Sequence, residues 1–161
     1  MSASAERLVR LLADGEMHSG ERLAADLGVT RAAVWKIVAE LRESGIAVAS
    51  HERRGYQLER PVELLDLQSL RRSAAAAGIE LPAATEVFFE LGSTNEYLHA
   101  AVAPPPAAPR VVFAELQTAG RGRRGREWLA PFGSGLTFSI GWMFAEMPAD
   151  LSALGLALGV C

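Results

Sequence analysis

The chain has 161 residues, half of them hydrophobic and 22% charged, with a formal net charge of −3, the balance of a soluble globular protein of one sizeable or two small domains. It is no polyanion binder as a whole, so any nucleic-acid contact must come from a local patch. One cysteine, Cys161, excludes an internal disulfide, the histidines His18, His51 and His99 have no cysteine partners at zinc spacing, and no signal peptide or membrane-spanning apolar run is present, which together predict a cytoplasmic protein with no metal site and no membrane partner.

Residues 1–60 read as a helix-turn-helix with a wing. Ser4 is placed to cap a first helix with Leu8, Val9, Leu11 and Leu12 on one side, stopped at Asp14-Gly15. Ser19 caps a second helix whose Leu23, Ala24 and Leu27 face inward, Gly28 turns the chain, and Thr30 caps a third helix from Arg31 to about Ser44, ended by Gly45. Counted from Gly20, the small residue Ala24 comes fifth, Gly28 ninth and Val34 fifteenth, the spacing that lets two helices approach and cross tightly. The outward face of the third helix carries Arg31, Ala32, Trp35, Lys36 and Ala39; the cations suit phosphates and base edges, and the alanines permit close approach to a groove. Two strand-like runs, 46–50 and 56–58, flank His51-Glu52-Arg53-Arg54-Gly55 as a basic-tipped hairpin. Arg31, Ala32, Trp35, Lys36, Arg53 and Arg54 are therefore the candidate DNA contacts, with Trp35 readable either as a contact or as a cap over the core. A protein-interaction module is the rival reading, because nine basic residues balance nine acidic ones in this stretch.

Residues 61–84 read as an ordered connector. Leu64, Leu67 and Leu70 share a helix face with Asp66 as a first-turn acid, and the helix runs through Ala74–Ala77 to Gly78, with Pro82 at the next boundary. Pro104-Pro105-Pro106 reads as a stiff surface loop.

Residues 85–161 carry the chemistry. A strand over 85–91 meets Ser93-Thr94-Asn95, followed by helical spacing over 96–102; two hydroxyls and an amide at such a corner serve either as ligand contacts or simply as helix caps. A second strand over 110–116 leads into Gln117-Thr118-Ala119-Gly120-Arg121-Gly122-Arg123-Arg124-Gly125-Arg126-Glu127-Trp128, four arginines and three glycines in twelve residues. Glycines let backbone N–H groups close on an anion, and arginines offer permanently charged forks for carboxylate or phosphate. By itself the loop reads equally as a solvated basic loop, and Trp128 as a lid or as an anchor. A strand over 136–142 and a nearly all-apolar helix over 149–161 complete the reading.

Taken together, strand, Ser-Thr-Asn, helix, strand and Gln-x-x-Gly-Arg-Gly-Arg-Arg-Gly-x-x-Trp behind a winged helix resemble the bifunctional biotin–protein ligase and biotin operon repressor family of bacteria, over nearly the whole chain. The resemblance implies an α+β protein: a winged helix-turn-helix DNA-binding domain over 1–60, a connector over 61–84, and over 85–161 the first part of a ligase domain similar to class II synthetases. It implies an enzyme, a biotin–carrier protein ligase that forms biotinyl-5′-adenylate from biotin and ATP and transfers biotin to a carrier lysine, and that also represses transcription. Ser93, Thr94 and Asn95 would line the biotin site and Gln117 would bond near its head or carboxylate. Arg121, Gly122 and Arg123 would hold the carboxylate and adenylate phosphate, Arg121 and Arg123 as the catalytic charges, with Gly120, Arg124 and Trp128 completing the substrate-binding set. Biotin and ATP are the expected substrates, magnesium is expected with ATP without an identified protein ligand, and operator DNA, a biotin carboxyl carrier protein and, for the full-length parent, a second copy of the chain are the expected partners.

Family members continue with a Lys-Trp-Pro-Asn segment and a small C-terminal β-barrel; no lysine follows Lys36 in these residues, so the expectation is the N-terminal portion of a longer protein, not competent in catalysis by itself. The alternatives are a DNA-binding regulator that senses a small molecule without chemistry, and a winged-helix module whose basic loop binds nucleic acid.

Overall fold

A computed structural model describes residues 1–101, 103–106, 108–122 and 126–146. The expected helix over 149–161 and the residues Arg123 and Arg124 lie outside the described residues.

The first three helices are α1 (Ala3–Leu12), α2 (Gly20–Leu27) and α3 (Arg31–Glu43). Helix α1 starts earlier than expected: the capping hydroxyl belongs to Ser2, whose side chain accepts from Ala5 N–H, and Ser4 lies within the first turn. Ser2 prevails because it sits in the extended conformation a cap requires, and Glu40 fixes it there by accepting from its backbone N–H at 2.7 Å and its hydroxyl at 3.0 Å. Ser19 and Thr30 cap α2 and α3 as expected. At the end of α3, Gly45 takes φ +82°, its N–H bonds Arg42 O, and Ile46 N–H bonds Leu41 O. This closure draws Ile46 into the core at 0% exposure, which is why the strand begins two residues later than expected. Leu8, Val9, Leu12, Leu23, Val34, Val38 and Leu41 are fully buried around it.

The wing is β1 (Val48–His51) antiparallel to β2 (Gly55–Leu58). His18, between α1 and α2, pairs with the other edge of β2 as a one-residue bridge, exchanging two 2.9 Å backbone bonds with Tyr56. The approach is so close that a Cβ on Gly55 would fall 2.0 Å from His18 O, so no other residue fits there. Arg42 of α3 ties the hairpin down, donating to Val48 O at 2.9 and 2.6 Å and to Ser50 Oγ at 2.6 Å.

In the connector, α4 spans Leu67–Ala76 and Asp66 is its N-cap, accepting from Ser69 N–H at 2.8 Å. That bond holds the Asp66 carboxyl below its ordinary value. The expected helix start at Leu64 is thus corrected: Asp66 is extended, and Leu64 packs against the core of the helix-turn-helix.

The last region is a three-stranded sheet in the order β3 (Ala84–Leu91), β4 (Arg110–Gln117), β5 (Thr137–Gly141). Strands β3 and β4 are parallel and joined through α5 (Thr94–Ala100); β5 is antiparallel to β4. Helix α5 starts two residues before the expected 96, because Ser93 is its cap. Tyr97 donates to Glu86 at 2.9 Å and packs its ring against Phe88, centroids 4.9 Å apart and planes tilted by 58°, holding α5 against β3. The bond to Glu86 keeps the Tyr97 phenol above its ordinary value.

Phe89, Leu116 and Phe132 join the same buried cluster as the helix-turn-helix residues. Phe89 and Phe132 stack at 6.1 Å, and the Arg10 guanidinium of α1 lies 6.0 Å from the Phe89 ring. Val62 N–H bonds Ala13 O at 2.9 Å, so the connector is stitched to α1. A continuous α+β core therefore runs from the winged helix into the sheet.

Candidate functional site

The cavity at the C-terminal ends of β3 and β4 measures about 220 Å³ and is lined by Ser93, Thr94, Asn95, Gln117, Arg121, Trp128, Leu136, Thr137, Phe138 and Ser139. Parallel strands joined by a helix leave their C-terminal ends as the usual place for a ligand. Pairing continues past the strands, with Thr118 N–H on Leu91 O at 2.9 Å and Ala119 N–H on Gly92 O at 2.8 Å. This brings the Ser93 corner and the glycine–arginine loop together.

Thr94 is the centre of the polar network. It is 3% exposed, its backbone N–H donates to Gln117 Oε1 at 2.7 Å, and its hydroxyl donates to the same oxygen at 3.1 Å. The backbone N–H is an obligate donor, so the Gln117 amide can face it only with its oxygen, which leaves the amide nitrogen directed elsewhere. Thr94 has one hydroxyl proton, already given to Gln117, so the 2.8 Å contact between Thr94 and Ser139 is donated by Ser139. Ser139 is a site residue that the sequence reading missed. The alternation Thr137-Ser139-Gly141 against Phe138-Ile140 was the available signal, but nothing in it says which face of the strand meets a ligand.

The described arms of the glycine–arginine loop, 120–122 and 126–128, pair with each other. Trp128 N–H bonds Gly120 O at 3.0 Å and Gly122 N–H bonds Arg126 O at 2.7 Å, which sets the backbones of Arg121 and Glu127 opposite each other as an antiparallel pair. Gly120 is buried, and a Cβ there would lie 2.6 Å from Trp128 O and 3.0 Å from Gln117 Nε2. The glycine is therefore needed for close approach of chain to chain. Arg121 reaches back to Glu96 of α5 at 3.1 Å. Trp128 is 56% exposed, so it is no core anchor; it stands at the rim of the cavity. Ser93 is buried and accepts from Glu96 N–H at 3.4 Å, while Asn95 is exposed. Of the expected site residues, Ser93, Thr94, Asn95, Gln117, Arg121 and Trp128 line the cavity and Gly120 and Gly122 shape the loop beside it.

A second concavity, about 710 Å³, lies between α3 and the wing. Arg31, Ala32 and Trp35 of α3 line one side and Arg53 and Arg54 of the wing the other, with Ser19, Gly20 and Tyr56 between them. Trp35 is 63% exposed, which resolves its two readings in favour of a surface residue. Lys36 is exposed on α3 but does not line this concavity. Three arginines face two glutamates there, Glu21 and Glu52, so the local charge is modestly positive. Arg53 adopts φ +60° at the wing tip, where a turn presents consecutive arginines outward.

Comparison with known proteins finds two family matches along the chain. Residues 5–57 match an HTH domain, and residues 90–159 match the biotin/lipoate A/B protein ligase family. The chain is 39% identical over 153 residues to the bifunctional ligase/repressor BirA of Salmonella typhimurium, covering 95% of this chain and 46% of that protein. It is 37% identical over 154 residues to the protein of the same name from Escherichia coli, covering 96% and 46%. With its Bacillus subtilis namesake it shares 32% identity over 129 residues, 80% of this chain and 39% of that protein. The chain thus spans about half the length of the curated relatives it matches.

Proposed function

We propose, for a chain whose residues 5–57 match an HTH domain and whose residues 90–159 match the biotin/lipoate A/B protein ligase family, that the protein is an ATP-dependent biotin–carrier protein ligase and a biotin-responsive transcriptional repressor. The observation that carries the reading is the convergence of the Ser93-Thr94-Asn95 corner, Gln117 and Arg121 on one cavity at the start of the glycine–arginine loop.

In the reaction a carboxylate oxygen of biotin bonds to the α-phosphorus of ATP and pyrophosphate leaves. The amine of a carrier lysine then attacks the acyl carbon, and AMP leaves with the electron pair of the broken carbon–oxygen bond. Thr94, Gln117 and Ser139, locked to one another, offer a preorganised polar wall on which a neutral head group can be oriented. Arg121, with Arg123 of the same loop, neutralises the approaching carboxylate and phosphate, which lowers the barrier between two anions. At about 220 Å³ the cavity suits the head and not the whole adenylate, so the nucleotide end lies under the loop and Trp128. Closing that loop shields a reactive acyl phosphate from water.

Ligand closure of the loop favours a dimer, and two winged helices then address a two-half-site operator through Arg31, Ala32, Trp35, Lys36, Arg53 and Arg54. The domain limits 1–60, 61–84 and 85–161 belong to the same proposal. Incubating the intact protein with labelled biotin, ATP and a biotin carrier domain tests the enzyme: label passes to the carrier lysine, and failure with an active control ligase overturns it. Operator binding that tightens when biotin and ATP are added tests the repressor.

A further inference from the structure

The arginine that should receive a ligand anion is already engaged. Arg121, which lines the cavity, places its Nη1 3.1 Å from Glu96 Oε1. Glu96 is the third residue of α5, and its N–H bonds the Ser93 hydroxyl. Ser-x-x-Glu at this place is a capping box, in which the acid normally reaches back to the N–H of the cap residue. Here, among the described residues, no bond to Ser93 N–H forms, and the carboxylate turns outward to Arg121 instead. Glu96 thus has two resting places within reach, the guanidinium of Arg121 and the N–H of Ser93.

The side chains of Arg121 and Glu96 are 73% and 48% exposed. An ion pair that open to water shifts an equilibrium by about fivefold at most, so a ligand anion can displace it, and the carboxylate can swing to Ser93 N–H as Arg121 is withdrawn.

Building on the reading of this cavity as a biotin site, we propose that Glu96 is a placeholder for the ligand carboxylate: it holds Arg121 at the rim of the empty cavity and yields it to an incoming anion. The exchange makes the site discriminate by charge. A ligand with a carboxylate must compete with Glu96 for Arg121, whereas a neutral analogue leaves the pair intact.

Equilibrium binding of biotin and of the neutral biotinamide to the intact protein and to Glu96→Gln tests this. Glutamine keeps the size and the capping geometry but gives up the charge. Biotin should bind Glu96→Gln about two- to fivefold more tightly, with biotinamide unchanged, and in an Arg121→Gln background the gain should vanish. An equal change for both ligands, or none for biotin, overturns the placeholder role while leaving the biotin site standing. If the unaltered protein binds neither ligand, the reading of the cavity fails first and the inference falls with it.

Discussion

The carboxylate of Glu115 on β4 accepts a hydrogen bond from the backbone N–H of Leu65 in the connector, so one half-buried acid joins the sheet to the segment that leads from the winged helix. Burial pushes the Glu115 carboxyl above its ordinary value, while the Leu65 N–H and the charge of Arg10 oppose the shift. A folded-state value above the unfolded one means that the folded protein holds the proton to higher pH. Stability from this group is therefore fully present below the unfolded value and declines as pH rises through the folded value. Glu115→Gln, which can still accept from Leu65, should flatten that decline. Thermal unfolding followed from pH 4 to pH 7 checks it; because the group is half in water the difference should stay below about 1 kcal/mol.

Gly120→Ala places a methyl group 2.6 Å from Trp128 O and 3.0 Å from Gln117 Nε2. The paired arms must open to accept it, at a cost of about 1–3 kcal/mol borne locally. Biotin binding should drop at least tenfold while the far-ultraviolet circular dichroism of the winged helix is unchanged. Retained affinity would show that the loop closes some other way.

Thr94→Val removes a buried hydroxyl that gives a proton to Gln117 and takes one from Ser139. Gln117 Oε1 keeps the backbone N–H of residue 94, so the loss falls on Ser139 and should cost about 1 kcal/mol in denaturant unfolding. Ligand affinity should fall with it, because the wall that orients the head group loses its middle member. Thr94→Ser, which keeps the hydroxyl, should restore most of both.

Arg42→Ala releases the wing from α3, since its guanidinium alone spans Val48 O and Ser50 Oγ. DNA affinity should fall about tenfold, on the order of 1.5 kcal/mol for charged hydrogen bonds lost, with biotin binding unaltered. Gel-shift titration beside biotin titration separates the two effects.

Arg54→Ala, at the wing tip, should weaken DNA binding on all sequences alike and reduce the slope of log affinity against log salt by about 1, as expected for one lost phosphate contact. An unchanged slope places Arg54 off the DNA.

Local signals in the chain carried a great deal of this structure. Ser19, Gly28, Thr30 and Gly45 act within a turn or two of themselves, so the boundaries of α2 and α3 could be read without knowing what they pack against. Where tertiary contacts compete, the local reading failed: Ser2 displaces Ser4 as a cap because Glu40 holds it, and Ile46 leaves the strand because the core claims it. The Ser93 corner and the glycine–arginine loop were legible as motifs, because both need particular residue types at fixed spacing.

The order of elements, the winged-helix spacing and the chemical character of the loop are thus properties of neighbours along the chain, readable from residue types and their spacing. Tertiary structure alone decided that Ser139 joins Thr94, that Glu96 meets Arg121, and that Glu115 reaches Leu65, pairs 45, 25 and 50 residues apart. Their geometry is set by strand register and burial, and short-range periodicity carries no record of which distant residue will stand across the sheet.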